Sequence, residues 1–330
     1  MEFRILGRTG VKVSPLCFGT MSFGGDADEE TSAAMFHRCR EAGINFFDCA
    51  NMYQRGVAEE ILGRLAKGCR DELVLTSKVY FPMGDDINAR GGSRRHIMLS
   101  IEASLRRLQT EYLDIYFIHR FDDLTPLEET LRALEDLVRQ GKILYPAVSN
   151  YAAWQVEKAL GIAACNGWAP VEVLQPMYNL VKRQAEVEIL PMAKAENLGV
   201  IPYSPLGGGL LSGKYTKESR PEKGRLIDNK MYSVRYGDQR VHQIAEDFSE
   251  FARANGYHPV SLAVAWVGSH PAVTAPIIGA RNVEQLEDSL GALDIDMTAE
   301  LRERVSSLSP APAPATDRNE EKTAASINAR

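Results

Sequence analysis

The feature that most constrains the fold of this chain is a regular alternation of short apolar runs with longer stretches of helical spacing. Parallel neighbours in a sheet need long crossover connections, so this alternation predicts a parallel sheet. Eight such units are the number that closes a (β/α)8 TIM barrel, and we predict that α/β fold, with a doubly wound open sheet as the alternative. The predicted strands are Leu16–Thr20, Asn45–Cys49, Leu73–Val79, Leu113–His119, Ile143–Ser149, Val171–Tyr178, Val200–Ser204 and Val273–Ile278.

Helical spacing appears in six stretches between these strands. The first is expected to begin at a Ser/Thr cap and to end at Gly43, and Pro126 suits the first turn of the fourth crossover helix,. The six stretches read TSAAMFHRCREAG, SIEASLRRLQ, PLEETLRALEDLVRQG, AAWQVEKALGIAACNG, QAEVEILPMAKAENLG and NVEQLEDSLGAL.

The two ends of the chain differ from this pattern. The segment FRILGRTGVKVS predicts a short N-terminal β-hairpin that turns at Gly7–Gly10. Residues 309–330 are rich in Pro, Ala and charge, which predicts a disordered C-terminal tail,. We therefore expect one barrel domain over residues 1–308, followed by that tail.

Two connections are longer than a minimal barrel needs. They are Tyr80–Arg95 after the third predicted strand and Lys214–Arg240 after the seventh. Both follow the carboxyl ends of strands, the face where barrel enzymes place their active sites.

The composition of the chain disfavours several classes of binding partner. The net charge of −6 offers no basic surplus for nucleic acid or an anionic membrane, and no apolar run is long enough to span a bilayer,. The N-terminus lacks the apolar region of a signal peptide, and the five scattered cysteines form no CxxC pair,. We expect a cytoplasmic protein that acts on a small molecule, without a metal site; the oligomeric state stays open.

The segment YSPLGGGLLSGKY raises the question of nucleotide binding. From Gly208 it contains G-x-x-x-x-G-K, most of a Walker A loop, but Tyr215 stands where that motif needs the Ser or Thr that ligates Mg²⁺,. The loop also follows a late strand. A triphosphatase is therefore disfavoured, although glycines and a lysine still suit a diphosphate.

Four ionisable residues follow three successive predicted strands. Asp48 ends the second strand and Tyr53 follows it, Lys78 lies near the end of the third, and His119 ends the fourth. Each alone has an ordinary explanation: a capping carboxylate, a half-buried tyrosine, an exposed lysine and a satisfied core histidine. In a barrel, however, these strand ends meet at one mouth, which favours a catalytic cluster over four coincidences.

These groups suit delivery of a proton to an oxygen that is gaining negative charge. A phenol has an unperturbed pKa near ~10, and an adjacent ammonium lowers it by favouring the phenolate. A carboxylate keeps the ammonium charged, and a histidine can orient a carbonyl oxygen. The sequence shows no HExxH motif and no Ser-His-Asp arrangement. The missing reactant is a hydride donor.

Eight motifs follow one another along the chain: LGRTGVKVSPLCFGTMSFG, GINFFDCANMY, LTSKV, LDIYFIHR, VSNY, LQPMYNL, IPYSPLGGGLLSGKY and PIIGARNVEQLEDSL. In these motifs and their order, the chain resembles the aldo-keto reductases from residue 1 to about residue 308. Two segments, GGSRRHI and GGGLLSGKY, resemble the branch of aryl-alcohol dehydrogenase-like and bacterial stress-type reductases. The resemblance implies a catalytic tetrad of Asp48, Tyr53 as proton donor, Lys78 and His119.

The resemblance also implies NADPH, bound in extended form across the barrel mouth with YSPLGGGLLSGKY along its pyrophosphate. Tyr203 is expected to stack on the nicotinamide, and Ser149, Asn150 and Gln175 to hold its carboxamide. Arg281 falls where the family binds the 2′-phosphate.

The remaining implied contacts lie at the phosphates and the adenine. Lys214 is expected near the phosphates or ribose, Gly279 beside the 2′-phosphate, and Gln285 and Asp288 near the adenine, where many relatives have Asn in place of Asp288. The complete implied set is Gly19, Thr20, Met21, Asp48, Ser149, Asn150, Gln175, Tyr203, Ser204, Pro205, Leu206, Gly209, Lys214, Gly279, Arg281, Gln285 and Asp288.

Apolar and aromatic residues are expected to form the substrate pocket, which favours an aryl aldehyde, a dicarbonyl or quinone-like compound, or a bulky cyclic ketone such as a keto-mycotoxin. The resemblance leaves one alternative: a cofactor-binding regulatory protein of the potassium-channel β-subunit type. The expected pocket residues are Met21, Phe23, Met52, Tyr80, Phe81, Phe121 and Tyr232.

Overall fold

The structure, a computed structural model, describes residues 1–215 and 224–316. The predicted disorder of residues 317–330, and part of the long segment after the seventh predicted strand, therefore lie outside the described residues. Residues 310–316 contain no helix or strand.

The chain opens with the predicted hairpin, in which β1 (Arg4–Ile5) pairs antiparallel with β2 (Lys12–Val13). Eight parallel strands follow. Each begins or ends within two residues of a predicted boundary, although β8, β9 and β10 are much shorter than predicted. They are β3 (Cys17–Gly19), β4 (Phe46–Asp48), β5 (Val74–Val79), β6 (Leu113–Ile118), β7 (Ile143–Ser149), β8 (Val173–Gln175), β9 (Gly199–Val200) and β10 (Ile277–Ile278).

The eight strands form a barrel. Their order is β10-β3-β4-β5-β6-β7-β8-β9, so the strands from β3 to β9 each pair with the next strand along the chain, and β10 returns to pair with β3. On the remaining side, the Thr274 N–H donates to the Val200 carbonyl at 2.8 Å and the Ile277 N–H to the Pro202 carbonyl at 2.9 Å. These bonds join the two ends of the order, and the predicted (β/α)8 barrel is confirmed.

Helices connect the strands and surround them. The α-helices are α1 (Glu29–Glu41), α2 (Val57–Ala66), α3 (Arg94–Leu108), α4 (Leu127–Arg139), α5 (Ala153–Asn166), α6 (Ile189–Ala195), α7 (Arg225–Asp228), α8 (Lys230–Arg235), α9 (Gln239–Ala254), α10 (Pro259–Gly268), α11 (Val283–Leu290) and α12 (Ala299–Ser306). Short 3₁₀ turns cover Tyr53–Gly56, Arg70–Glu72, Gln184–Glu186, Gly207–Ser212 and Gly291–Asp294.

Two helix starts differ from the sequence prediction. Asp28, and not a Ser or Thr, caps α1, because its carboxylate accepts from the Thr31 N–H at 2.8 Å,. Helix α3 begins at Arg94, a full turn and more before the predicted SIEASLRRLQ, with Ser93 as its cap. Six helices were not among the predicted stretches: α2, α7, α8, α9, α10 and α12.

Two apolar layers hold the barrel together. The inner layer fills the barrel between the strands, and the hairpin residues Leu6 and Val13 are fully buried against it. The outer layer lies between strands and helices. Since the hairpin occupies the bottom of the barrel, the opposite mouth stays free for a site. In the described ranges, no helix is long and apolar enough to cross a membrane.

Candidate active site

Three neighbouring strands bring the predicted catalytic residues to the mouth. In the parallel register, Asp48 of β4 pairs with Thr76 of β5, and Lys78 lies two residues further along β5. Side chains alternate between the faces of a strand, so Thr76 and Lys78 share the inner face. His119 follows directly after β6, and its N–H donates to the Val79 carbonyl at 2.9 Å.

The ammonium of Lys78 makes three contacts. Its Nζ lies 2.6 Å from Asp48 Oδ2, 2.7 Å from the Cys49 carbonyl and 3.2 Å from the hydroxyl of Tyr53. The Lys78 side chain has no exposed surface and that of Asp48 only 3%. All three donor hydrogens of the ammonium therefore have fixed acceptors, and one of those acceptors is the phenol oxygen.

Asp48 is held by two further donors. The Thr76 hydroxyl and Gln175 Nε2 each donate to Asp48 Oδ1 at 2.8 Å. A buried carboxylate is tolerated only when it is paired and hydrogen-bonded, and this one meets both conditions. Gln175 thus serves the carboxylate, in addition to its predicted place beside the cofactor's carboxamide.

Tyr53 lies in a tight turn that is anchored from outside the barrel. The next two residues have left-handed backbone conformations, with φ of 46° at Gln54 and 53° at Arg55. Helix α2 follows at once, and its Glu59 is fully buried, accepting from Ser77 Oγ at 2.5 Å and from Arg107 Nε at 2.6 Å. Ser77 precedes Lys78, so the helix after Tyr53 is fastened to the strand that carries Lys78.

Burial and neighbouring charges shift the pKa values of Tyr53 and Lys78 in opposite directions. Burial raises the pKa of Tyr53 to about 12, although the Lys78 ammonium lowers it. Burial lowers the pKa of Lys78, but Asp48 and Tyr53 outweigh that effect, and the net pKa is raised. The expected net lowering of the Tyr53 pKa is therefore wrong for the protein alone, because desolvation exceeds the effect of the lysine.

His119 completes the cluster. Its ring lies 6.2 Å from the Tyr53 ring and 4.9 Å from the Phe81 ring, edge-on to both. Burial, and then the nearby Lys78 charge, lower its pKa well below 6.5, so the imidazole is neutral at pH 7. Among the described residues, its buried Nδ1 has no hydrogen-bond partner.

The residues expected at the nicotinamide lie together at the ends of three strands. Ser149 Oγ donates to the Gln175 carbonyl at 2.9 Å, and Asn150 Nδ2 donates to the His119 carbonyl at 2.9 Å. The Tyr203 hydroxyl donates to Asn150 Oδ1 at 2.7 Å, which spans β7 and the end of β9. Asn150 has a left-handed φ of 57°, a conformation that persists where the surroundings impose it,.

The segment from Ser204 to Lys214 forms the glycine-rich turn that the sequence places along a pyrophosphate. Ser204 has a left-handed φ of 58°, Pro205 is buried and Leu206 precedes a 3₁₀ turn over Gly207–Ser212. At Gly208, φ is 69° and a Cβ would lie 2.7 Å from the Tyr232 ring, so only glycine fits,. Such turns can present N–H groups to phosphate oxygens. Gly209 stands beside Lys214, whose Nζ lies over the Tyr215 ring.

Arg281 and its neighbours form the exposed edge of this region. Arg281 Nε lies 3.0 Å from Asp26 Oδ2, and its N–H donates to Gln285 Oε1 at 3.3 Å. Gly279 is exposed, and among the described residues a Cβ there would approach only the Gly19 carbonyl, at 3.8 Å. The carboxylate of Asp288 lies 3.7 Å from His258 Nε2. A guanidinium beside an open glycine fits a phosphate, and the predicted assignments remain predictions.

The end of β3 and the loop after it contain some residues that lie near the site and others that only pack in the core. Thr20 is buried and donates to the Asp48 carbonyl, and Met21 is half-buried. A Cβ at Gly19 would lie 2.8 Å from Ile277, so packing against β10 already requires glycine there. Phe23 packs on Phe18 in the core without exposed surface, which makes its predicted place in the pocket wall wrong.

Two contributors to the site were missed by the sequence prediction. Thr76 could have been found, since it lies two residues before Lys78 on the same strand face. Asp26 could not, because only the three-dimensional path of the loop after β3 brings it to Arg281. In the described ranges, no group of three His, Cys, Asp or Glu side chains could hold a metal ion.

Known proteins are similar in sequence to this chain over nearly its whole length. Residues 15–310 match the Aldo/keto reductase family. The uncharacterized oxidoreductase YrpG of Bacillus subtilis is 38% identical over 327 residues, covering 94% of this chain and 97% of its own. A probable voltage-gated potassium channel subunit beta of Oryza sativa is 34% identical, covering 89% and 92%. Norsolorinic acid reductase of Aspergillus flavus is 35% identical, covering 90% and 78%.

The family match agrees with the structure, in which a closed eight-stranded barrel carries a buried Asp48–Lys78 pair against the hydroxyl of Tyr53 at its mouth. The chain is therefore an oxidoreductase that belongs to the aldo/keto reductase family.

Proposed function

We propose that the protein is an NADPH-dependent reductase that converts an aldehyde or ketone to the alcohol, with Tyr53 as the proton donor. The observation that carries this proposal is the contact of 3.2 Å between Lys78 Nζ and the Tyr53 hydroxyl, with Asp48 fixing the ammonium. This arrangement suits an oxygen that must receive a proton as it gains charge.

When bound at this mouth, NADPH would supply the hydride for the carbonyl carbon. The phenol of Tyr53 holds its proton at neutral pH and donates it to the carbonyl oxygen. The Lys78 ammonium then stabilises the phenolate that remains, and Asp48 keeps the ammonium charged and in place,. The neutral imidazole of His119 can donate one hydrogen bond that orients the carbonyl oxygen,.

The preference for NADPH rests on Arg281. A guanidinium can form charge-assisted bonds to the 2′-phosphate, a group that NADH lacks. Arg281 lies two residues after the open Gly279, and it is close enough to Tyr215, at the end of the glycine-rich turn, for its charge to act on the Tyr215 hydroxyl. Ser149, Asn150, Gln175 and Tyr203 would then hold the nicotinamide.

The substrate is proposed to be an aryl aldehyde, a dicarbonyl or a bulky cyclic ketone. Aromatic side chains adjoin the tetrad, with Phe81 next to His119 and Tyr80 next to Phe81. One relative is named a reductase of norsolorinic acid, which supports reduction as the direction. A small-molecule partner in the cytoplasm is part of the proposal, since the net charge of −6 and five free cysteines suit a reducing compartment without nucleic acid,.

A second candidate is a cofactor-binding regulatory protein, because two relatives are named potassium channel subunits beta. Turnover separates the two. We expect the protein to oxidise NADPH in the presence of benzaldehyde, aliphatic diketones or cyclic ketones, and the Tyr53→Phe variant to bind NADPH without this turnover. Tight NADPH binding by the wild-type protein with no turnover of any of these compounds would instead support the regulatory function.

A further inference from the structure

The turn that carries Tyr53 has an unusual backbone. Each of the three residues after Tyr53 has a positive φ: 46° at Gln54, 53° at Arg55 and 97° at Gly56. Glycine adopts such a conformation freely, whereas the two residues before it adopt it at a cost in free energy. A backbone of this kind persists where its surroundings impose it. The turn therefore depends on contacts from outside itself.

The side chain of Arg107, in the last turn of α3, supplies one such contact. A Cβ at Gly56 would lie 2.7 Å from Arg107 Cδ and 2.8 Å from its Nε, so the arginine side chain packs directly against the backbone of the turn. The backbone of α3 is equally close to α2, because a Cβ at Gly63 would lie 2.6 Å from the Arg107 carbonyl oxygen. The end of α3 thus lies against both the turn and the helix that follows it.

Glu59 joins Arg107 to the strand that carries Lys78. Its buried carboxylate accepts from Arg107 Nε at 2.6 Å through one oxygen and from Ser77 Oγ at 2.5 Å through the other. Glu59 lies in the first turn of α2. Side chains alternate along a strand, so Ser77 faces the helices while Lys78, the next residue, faces the barrel interior. We call these contacts the Arg107–Glu59–Ser77 network.

The network connects the two partners of the catalytic contact by a second path. The Tyr53 hydroxyl lies 3.2 Å from Lys78 Nζ. Behind the barrel wall, Arg107 holds the turn after Tyr53, and Ser77 holds α2 against β5. A carboxylate with no exposed surface must be paired, so Glu59 keeps the guanidinium of Arg107 in place,. The network therefore fixes the position of the phenol relative to the ammonium.

We propose that Arg107 and Glu59 are positioning residues for proton donation, which hold the turn so that the Tyr53 hydroxyl stays within hydrogen-bond distance of Lys78. This inference rests on the proposed carbonyl reductase function. Both side chains lie between helices and strand, on the outer side of the barrel wall, and act on the reaction through Tyr53. None of the residues predicted to hold NADPH lies in α2 or α3, so the loss of the network should affect kcat and not cofactor affinity.

The test is a double-mutant cycle of Arg107→Met and Tyr53→Phe. The turnover number is measured with saturating NADPH and the best wild-type substrate among benzaldehyde, diacetyl and cyclohexanone. Arg107→Met should lower kcat by about 10- to 100-fold, the scale of a small misplacement of a reacting group, and leave the dissociation constant of NADPH unchanged. In the Tyr53→Phe background it should leave the residual kcat unchanged, since the hydroxyl that it positions is gone. Equal losses in the two backgrounds, or no loss in the wild-type background, would refute the proposal.

A matched control separates positioning from general stability. Arg70 pairs with Asp114 at 2.8 Å, with 15% and 13% of their side chains exposed, and Asp114 also accepts from the Leu75 N–H near the start of β5. This pair lies in the same layer as the network but at the opposite end of the barrel. Arg70→Met should therefore lower thermal stability and leave kcat unchanged. A loss of kcat equal to that of Arg107→Met would mean that any broken ion pair in this layer has the same effect, and the proposal would be wrong.

Two variants of the network complete the set. Arg107→Lys keeps a cation beside Glu59 and should recover most of the lost kcat. Arg107→Met/Glu59→Gln removes the carboxylate that Arg107→Met leaves unpaired, so it replaces the single variant in the cycle if that variant does not fold. Its expected kcat is equally low, because the contact between the two side chains is gone. Full activity of this double variant would refute the proposal.

Amide hydrogen exchange gives a readout that needs no turnover. The Arg55 N–H donates to the Met52 carbonyl at 3.1 Å within the turn. Mass spectrometry of residues 53–57 should show a loss of protection in Arg107→Met and none in Arg70→Met. Wild-type protection in Arg107→Met would show that the network does not hold the turn. If the wild-type protein reduces none of the three carbonyl compounds, the proposed function fails, and the exchange comparison alone decides whether Arg107 holds the turn.

Discussion

Two ion pairs at the barrel mouth differ strongly in how much of their side chains is buried. Lys78 and Asp48 are 2.6 Å apart, with 0% and 3% of their side chains exposed. Arg281 and Asp26 are 3.0 Å apart, with 32% and 51% exposed. The first pair has further hydrogen bonds from Thr76 and Gln175, whereas in the described residues the second has only its own contact between side chains.

This difference in burial implies that the Lys78–Asp48 contact is permanent and that the Arg281–Asp26 contact can be exchanged for another. Breaking a buried pair leaves a charge without solvent, so its geometry is fixed throughout a catalytic cycle. An exposed pair contributes little to stability, and a stronger anion can displace its carboxylate. We infer that the tetrad end of the site is built for chemistry and the Arg281 end for reversible binding. The following predictions test this contrast.

The largest expected effect belongs to the proton donor. Tyr53→Phe should lower kcat for carbonyl reduction by a factor of about 10² to 10⁴, or roughly 3 to 5 kcal/mol of barrier, since it removes a positioned general acid. The ring remains, so the affinity for NADPH, measured by fluorescence titration, should persist. His119→Gln is the matched comparison. If Tyr53→Phe keeps most of its kcat while His119→Gln loses it, the histidine carries the proton.

Breaking the buried pair should impair both stability and catalysis. Lys78→Met leaves Asp48 buried and unpaired, and should lower the free energy of unfolding by about 3–5 kcal/mol in urea titrations. The double variant Lys78→Met/Asp48→Asn removes the isolated charge and should regain part of that stability, but not the turnover, because Tyr53 still lacks its ammonium. Recovery of activity in the double variant would contradict the assigned role of Lys78.

Breaking the exposed Arg281–Asp26 pair should affect cofactor binding alone. Arg281→Ala should weaken NADPH binding by roughly 1.5–3 kcal/mol, the scale of hydrogen bonds to charged groups, and leave NADH binding almost unchanged. Arg64→Ala is a suitable control, because it breaks a similarly exposed pair with Glu29 on the helical layer. Equal losses for the two cofactors would show that Arg281 does not read the 2′-phosphate.

Asp26 competes for Arg281 in this view, so its removal should strengthen binding. Asp26→Asn should tighten NADPH by about 0.2–1 kcal/mol, the strength of an exposed ion pair, with no effect on NADH. In an Arg281→Ala background the same substitution should have no effect, since its partner is gone. A cofactor titration of the four proteins forms a double-mutant cycle, and weaker NADPH binding by Asp26→Asn would refute the competition.

The smallest effect is expected from pH. Tyr53 must hold its proton to donate it, so activity falls only as pH rises through its pKa of about 12. His119, whose pKa lies well below 6.5, is already neutral above that value. Hence kcat/KM for the carbonyl substrate should be flat between about pH 6.5 and 9. A decline through this range would indicate a donor with a lower pKa.

Sequence alone predicted the parts of the molecule that obey short-range periodicity. Parallel strands buried on both faces appear as continuous apolar runs, which is why β5 to β7 were located almost to the residue,. The tetrad followed from strand ends. Positions that depend on loop paths could not be predicted: Phe23 turns into the core, and Asp26 reaches a residue near the other end of the chain.

The net pKa of Tyr53 could not be predicted, because burial and the Lys78 charge shift it in opposite directions. The sequence indicated that Lys78 adjoins Tyr53, and the structure has that contact. The net pKa of Tyr53 also depends on how completely the phenol is desolvated, and burial is a property of the whole barrel mouth. Likewise, Gln175 was expected beside a cofactor, but its hydrogen bond to Asp48 depends on the neighbouring strands.

The pairing of β10 with β3, which we call the seam, has a consequence for how the protein folds during synthesis. Ser22 Oγ donates to the Ala280 carbonyl, 258 residues along the chain, and Ile277 pairs with Cys17. A nascent chain emerges from the ribosome N-terminus first, so β3 waits with an unpaired edge until nearly all of the barrel has been synthesised. Exposed strand edges recruit other chains. Substitutions at this seam should therefore reduce the yield of folded protein during synthesis more than they change the finished enzyme.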